Sequence, residues 1–161
     1  GVNERLLAAL EKMNQRSGLA VVWQTGPAQY EEMKSAVGSS ANVYPVAFID
    51  GVYPYLQHAD LVICRAGAST LAEVTAFGRA SILIPYPYAA ANHQVHNAQA
   101  LEERGAAVVE LESEPDRLWE KVEKILGDRE LRTKMADAAR SMGHPNSAIE
   151  IVTQIAQEMA S

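Results

Sequence analysis

The sequence predicts a doubly wound α/β domain, a Rossmann-like parallel sheet with helices on both faces. Three observations carry this. Short apolar runs of strand length alternate with stretches of helical periodicity. The runs are apolar throughout instead of alternating, as strands buried on both faces are. Turn residues mark most of the switches between the two patterns.

The first element is a helix over residues 3–15, where Leu6, Leu7, Leu10 and Met13 recur at helical spacing. Leu19-Ala20-Val21-Val22-Trp23 reads as a buried strand closed by Gln24-Thr25-Gly26-Pro27, and Pro27 suits the first turn of a helix reaching Val37. Residues 42–49 form the next strand, at an edge because Pro45 cannot donate to a ladder. A short helix to His58 precedes the strand Asp60-Leu61-Val62-Ile63-Cys64. A helix over 70–77 ends at Gly78, and the strand over 80–84 is closed by Pro85. After a loop over 86–92, a helix over 93–104 stops at Gly105 and the last strand covers 107–111. The remainder is helical in three pieces. Leu118, Val122, Ile125 and Leu126 share a face of the first, while Ile149, Val152, Ile155 and Met159 form a stripe on the last that has to pack on something.

With 161 residues, 48% of them hydrophobic, the chain is long enough for one substantial core and short for two. A formal charge of −6 denies it the broad positive field that nucleic-acid or anionic-membrane binding uses. Its apolar runs, such as residues 19–23 and 61–64, fall far short of the roughly 18 residues that span a bilayer. No charged-then-apolar leader opens the sequence, and the single cysteine, Cys64, excludes an internal disulfide and a Cys-based metal cluster. A cytoplasmic, soluble, single domain is therefore expected.

Ligands of open parallel sheets bind at the carboxyl ends of the strands. The most informative such end is Arg65-Ala66-Gly67-Ala68-Ser69-Thr70, where a strand enters a small-residue loop that leads into a helix with Glu73 one turn in. Gly67 and Ala68 let a ligand approach the backbone, free N–H groups at the helix start favour a phosphate, and Glu73 can accept from a sugar diol. Thr70-Leu71-Ala72-Glu73 also reads as a capping box, in which both side chains only satisfy backbone N–H groups. The loop Tyr86-Pro87-Tyr88-Ala89-Ala90-Ala91-Asn92 is longer than a tight βα turn and ends in His93-Gln94-x-x-Asn97, polar groups suited either to sugar hydroxyls or to a helix cap. His93 and His96 stand three apart on a helix with no third ligand type beside them, so no metal is expected. Phe48 is a core residue or a base-stacking platform, and Arg65 a solvated charge or a phosphate counter-ion. Cys64 is a small buried hydrophobe. Walker, Gly-x-Gly-x-x-Gly, Asp-x-Asp and nucleophile-elbow patterns are all absent.

Taken in order, Phe48-Ile49-Asp50, Cys64-Arg65-Ala66-Gly67-Ala68-Ser69-Thr70-x-x-Glu73, Pro85-Tyr86-Pro87-Tyr88 and His93-Gln94-x-x-Asn97-Ala98 resemble the C-terminal, donor-binding half of the MurG family, as does Trp23-Gln24-Thr25-Gly26. The resemblance implies one half of a GT-B glycosyltransferase, with residues 1–161 as its UDP-GlcNAc-binding domain. The family moves N-acetylglucosamine from UDP-GlcNAc to lipid I by an inverting displacement, giving lipid II for peptidoglycan.

By the same resemblance, Ile49 offers backbone groups to uracil with Phe48 near the ring, and Glu73 holds the ribose hydroxyls. Arg65, Gly67, Ala68, Ser69 and Thr70 lie by the diphosphate. His93 and Gln94 contact the sugar, with Asn97 supporting their loop. No metal or other cofactor is implied. The partners implied are UDP-GlcNAc and an N-terminal acceptor domain, which carries the general base and the membrane contact. The full-length enzyme is then peripheral on the cytoplasmic face of the inner membrane, and this fragment alone is inactive.

The family's donor half opens with a central strand and a Gly-Gly-Ser-x-Gly loop. Neither stands in this sequence, so a gap is expected in the sheet. A stand-alone donor subunit with a separate membrane partner, or a nucleotide-binding module without catalysis, are the other readings.

Overall fold

In the computed structural model, which describes residues 1–159, the architecture is set by β4 (Ser81–Leu83), buried on both sides. Successive side chains of a strand point to opposite faces. Accordingly Ile82 and Ile84 enter one hydrophobic cluster with Leu6, Met13, Trp23, Leu118 and Ile125, while Leu83 enters another with Leu71, Leu101 and Ala139. β4 pairs in parallel with β3 (Val62–Cys64) and with β5 (Ala107–Val109), with Ile82 opposite both Ile63 and Val108. One face of this three-stranded sheet is covered by α1 (Val2–Ala8), α2 (Leu10–Gln15) and α7 (Leu118–Gly127). The other is covered by α5 (Ala68–Ala76), α6 (His93–Glu103) and α8 (Arg129–Met142). α5 and α8 come so close at Gly143 that an added Cβ there would stand 2.6 Å from the Thr75 carbonyl oxygen.

The predicted first helix is broken in two at Ala9, and Pro27 opens a short 3-10 turn before α3 (Tyr30–Val37). β1 (Val21–Gln24) and β2 (Val43–Val46) pair in parallel as a separate two-stranded sheet, with β2 at an edge as Pro45 requires. Among the described residues no strand joins β1 to β3, so the expected gap is present, although both sheets contribute to the same cluster through Trp23, Val43 and Ile82. One departure follows from this. β1 and β2 are covered on one face only, and Val22 and Tyr44 on the other are exposed, against the expectation of burial on both faces.

α4 (Tyr53–His58) precedes β3, and α9 (Ser147–Met159) closes the described chain. α7 buries Leu118, Val122 and Ile125 as its periodicity predicts. α9 buries nothing: Ile149, Val152, Ile155 and Met159 are exposed, so the stripe expected to pack has no cover among the described residues. No helix among them is long and apolar enough to cross a membrane.

Candidate functional site

At the carboxyl end of β3 the chain passes through Arg65 and buried Ala66 into α5, which begins at Ala68 with Gly67 as its N-cap. The helix therefore starts two residues earlier than expected, and Thr70 is inside its first turn instead of capping it. No side chain caps the helix. This corrects the capping-box reading, because a box needs the Thr at the N-cap and the acid at N3. The first intrahelical bond is donated by Leu71 to the Gly67 carbonyl, which leaves the N–H groups of Ala68, Ser69 and Thr70 for a ligand or solvent. Ala68 and Ser69 are exposed and Thr70 is half-buried. Glu73 is also half-buried, and its carboxylate has no hydrogen-bond or ion-pair partner among the described residues.

Arg65 is held differently from a solvated charge. Its Nη1 donates to the carbonyl oxygens of Ile84 at 3.1 Å and Pro85 at 3.2 Å, and pairs with Glu112. Its guanidinium carbon lies 5.4 Å from the centre of the Tyr86 ring, within cation–π range. Asn97, on α6, donates from Nδ2 to the Ala66 carbonyl at 3.2 Å and so ties that helix to the β3–α5 loop.

The loop before α6 is wound through two left-handed residues, Ala91 at φ 49° and Asn92 at φ 54°, a costly backbone state for residues other than glycine. Asn92 occupies the N-cap position without making a capping bond. Gln94 Oε1 instead accepts from the Tyr86 N–H at 3.0 Å, closing the loop on itself, and His93 Nδ1 lies 2.7 Å from the Ala90 carbonyl oxygen with its ring exposed.

Phe48 and Ile49 follow β2 at the carboxyl end of the smaller sheet. Phe48 is 68% exposed, which removes the reading of it as a core residue. The Ile49 N–H is already taken by Gln24 Oε1 at 3.0 Å, so its free backbone group is the carbonyl. No hydrogen bond or ring contact links these two residues to the Arg65–Glu73 group.

Cys64 is half-buried, less enclosed than expected, packed against the Leu71–Leu83–Leu101 cluster, and desolvation there pushes its thiol up to about 12. Among the described residues no group of three or more His, Cys, Asp or Glu side chains could hold a metal ion. Gln24 and Tyr86 stand in the motifs named from the sequence but were given no role of their own, and Glu112 stands in none of them. Gln24 looked like turn punctuation, and Glu112 looked like one more charge in the acidic stretch Glu112-Ser113-Glu114-Pro115-Asp116.

Residues 2–157 match the glycosyltransferase family 28 C-terminal domain. A protein of Prosthecochloris aestuarii, named UDP-N-acetylglucosamine–N-acetylmuramyl-(pentapeptide) pyrophosphoryl-undecaprenol N-acetylglucosamine transferase, is 44% identical over 138 residues, 84% of this chain and 38% of its own length. One of the same name from Acetivibrio thermocellus is 39% identical over 167 residues, covering 99% of this chain and 45% of its own. The crystal structure of MurG from Acinetobacter baumannii superposes with a TM-score of 0.81 at 33% identity, over 97% of this chain and 46% of that one. The chain thus spans less than half the length of each of these relatives. With a family match that runs almost from end to end, the chain belongs to the glycosyltransferase family 28 C-terminal domains.

Proposed function

We propose that residues 1–161 form the UDP-GlcNAc-binding half of a MurG-type transferase. In this reading the acceptor hydroxyl of a lipid-linked muramoyl pentapeptide attacks C1 of GlcNAc. The bond from C1 to the β-phosphate oxygen breaks with its electron pair leaving on UDP, and a base outside this chain takes the proton. The chain's own work is positioning and charge stabilisation. Glu73 accepts from the ribose diol. The N–H groups of Ala68, Ser69 and Thr70, the Thr70 hydroxyl and Arg65 meet the diphosphate, with Gly67 giving close backbone access. His93 and Gln94 meet the sugar hydroxyls, Asn97 fixes the loop through Ala66, and Phe48 with the Ile49 carbonyl meets uracil.

The observation that carries this reading is Glu73. Its carboxylate is half-buried beside an uncapped helix start at the carboxyl edge of the sheet and makes no hydrogen bond or ion pair among the described residues, which leaves its oxygens available to a ligand. The free edges of β1 and β3 support the rest: a further parallel strand belongs between them, supplied by sequence that also carries a phosphate loop. Acceptor binding, the general base and contact with the cytoplasmic face of the inner membrane then reside in an N-terminal domain. A stand-alone donor subunit fits less well, since the relatives continue over more than twice this length.

Calorimetric titration with UDP tests the proposal. Glu73→Ala is expected to weaken UDP about tenfold or more while leaving the melting temperature unchanged, the loss of charge-assisted bonds to a diol. Unaltered affinity removes the ribose role, and absence of UDP binding by the longest natural chain containing these residues removes the whole reading.

A further inference from the structure

The carboxyl end of the three-stranded sheet holds a charge arrangement that the donor-site residues above do not explain. Arg65 follows β3 and Glu112 stands three residues after β5, yet their side chains meet over the end of β4, where Ile84 and Pro85 present their carbonyls. All three protein acceptors engage the same nitrogen, Nη1. Among the described residues Nε and Nη2 have no hydrogen-bond partner, and Nη2 lies beside Gly1, where an added Cβ would stand 3.1 Å from it. The guanidinium is thus clamped at one corner and flanked by the Tyr86 ring, with the donors of its opposite edge unpaired among the described residues and Nη2 beside Gly1.

Glu112 is itself held on a rigid base. Glu110, the residue after β5, is 1% exposed and pairs with both Arg5 of α1 and Lys121 of α7. It also accepts from the Arg117 N–H at 3.0 Å. Arg5 continues through Nη2 to the carbonyl oxygens of Leu111 at 2.9 Å and Glu114 at 3.1 Å, and pairs with Asp116 at 3.1 Å. The stretch 111–117 is therefore held to two helices, through buried Glu110 and Arg5 before Glu112 and through the more exposed Asp116 after it. Buried ion pairs of this kind are a poor device for stability alone, since apolar residues of equal volume do as well or better, and their best use is to specify geometry.

We infer that Glu112 is a positioning residue for the nucleotide's phosphates: by clamping Nη1 it orients Arg65 so that Nε and Nη2 face the diphosphate. This rests on the proposed UDP-binding reading. The carboxylate costs some of the attraction between Arg65 and an anion, and the orientation of a long, otherwise rotamer-rich side chain outweighs it.

The test is a set of titrations with UDP and with uridine, in the longest natural chain containing these residues, for wild type, Glu112→Ala, Glu112→Gln, Arg65→Ala and the double substitution Arg65→Ala/Glu112→Ala. Glu112→Ala is expected to weaken UDP about tenfold, leave uridine unchanged, and have no further effect once Arg65 is gone. Glu112→Gln, which keeps an acceptor for Nη1, restores part of the loss. Equal or tighter UDP binding in Glu112→Ala overturns the inference, as does an equal loss for UDP and uridine, which marks a general structural defect. Wild type that binds UDP with Glu112→Ala unchanged defeats the inference alone. Wild type that binds neither ligand defeats the underlying reading and the inference with it.

Discussion

Cys64 immediately precedes Arg65, yet its chemistry is silent. Burial without a charged partner disfavours the thiolate and raises the thiol from 9.0 to about 12. The group is neutral when folded, while an exposed thiol titrates at the lower value, so the folded state is favoured by the burial up to pH 9 and that advantage is lost as pH rises toward 12. At pH 8 the native thiolate fraction is about a thousandfold below that of an exposed cysteine. Labelling with a disulfide reagent at that pH is expected to wait for unfolding, and prompt stoichiometric labelling of native protein contradicts the burial. Cys64 was legible from its apolar neighbours. Glu73 was legible as one of two readings, and the choice between them needed the helix start, which shifts by two residues and removes the capping box. Glu112 was illegible, because its partner lies 47 residues away and only the adjacency of β3, β4 and β5 brings the two together.

Elements were read well where they are apolar and short, since β3, β4 and β5 draw their identity from burial that the sequence displays directly. The ends were read less well: the last strand was expected to reach Leu111 and stops at Val109; the Glu110 N–H still donates to the Leu83 carbonyl at 2.9 Å, and beyond it the Leu111 carbonyl accepts from Arg5 at 2.9 Å. α9 shows the opposite failure. Its periodicity is clear, but a stripe says only that a face is apolar, and none of the described residues covers it. Deleting residues 145–161 is accordingly expected to change the stability of the remaining 1–144 by no more than about 0.5 kcal/mol. A denaturation midpoint lowered well beyond that range contradicts the exposure of α9.

At the scale of the whole molecule, the two faces of the β3–β4–β5 sheet are filled by different helices, and nearly all of that was visible in the run of apolar strands. The break between the two sheets was expected only through the family resemblance, because hydrophobic periodicity does not say which strands are neighbours. A parallel strand is identified by its neighbours, and β1 and β3 each have a single strand neighbour among the described residues. In the proposed reading one nucleotide site joins the two sheets, with Phe48 and Ile49 after β2 of one and Arg65 to Glu73 after β3 of the other. The most direct measurement of that claim is hydrogen exchange by mass spectrometry with and without UDP, in the longest natural chain containing these residues. Within residues 1–161, protection confined to peptides covering residues 48–50 and 65–73 is the predicted result. Protection at the opposite ends of the strands, around residues 59–61 and 79–80, with none at those two, contradicts it.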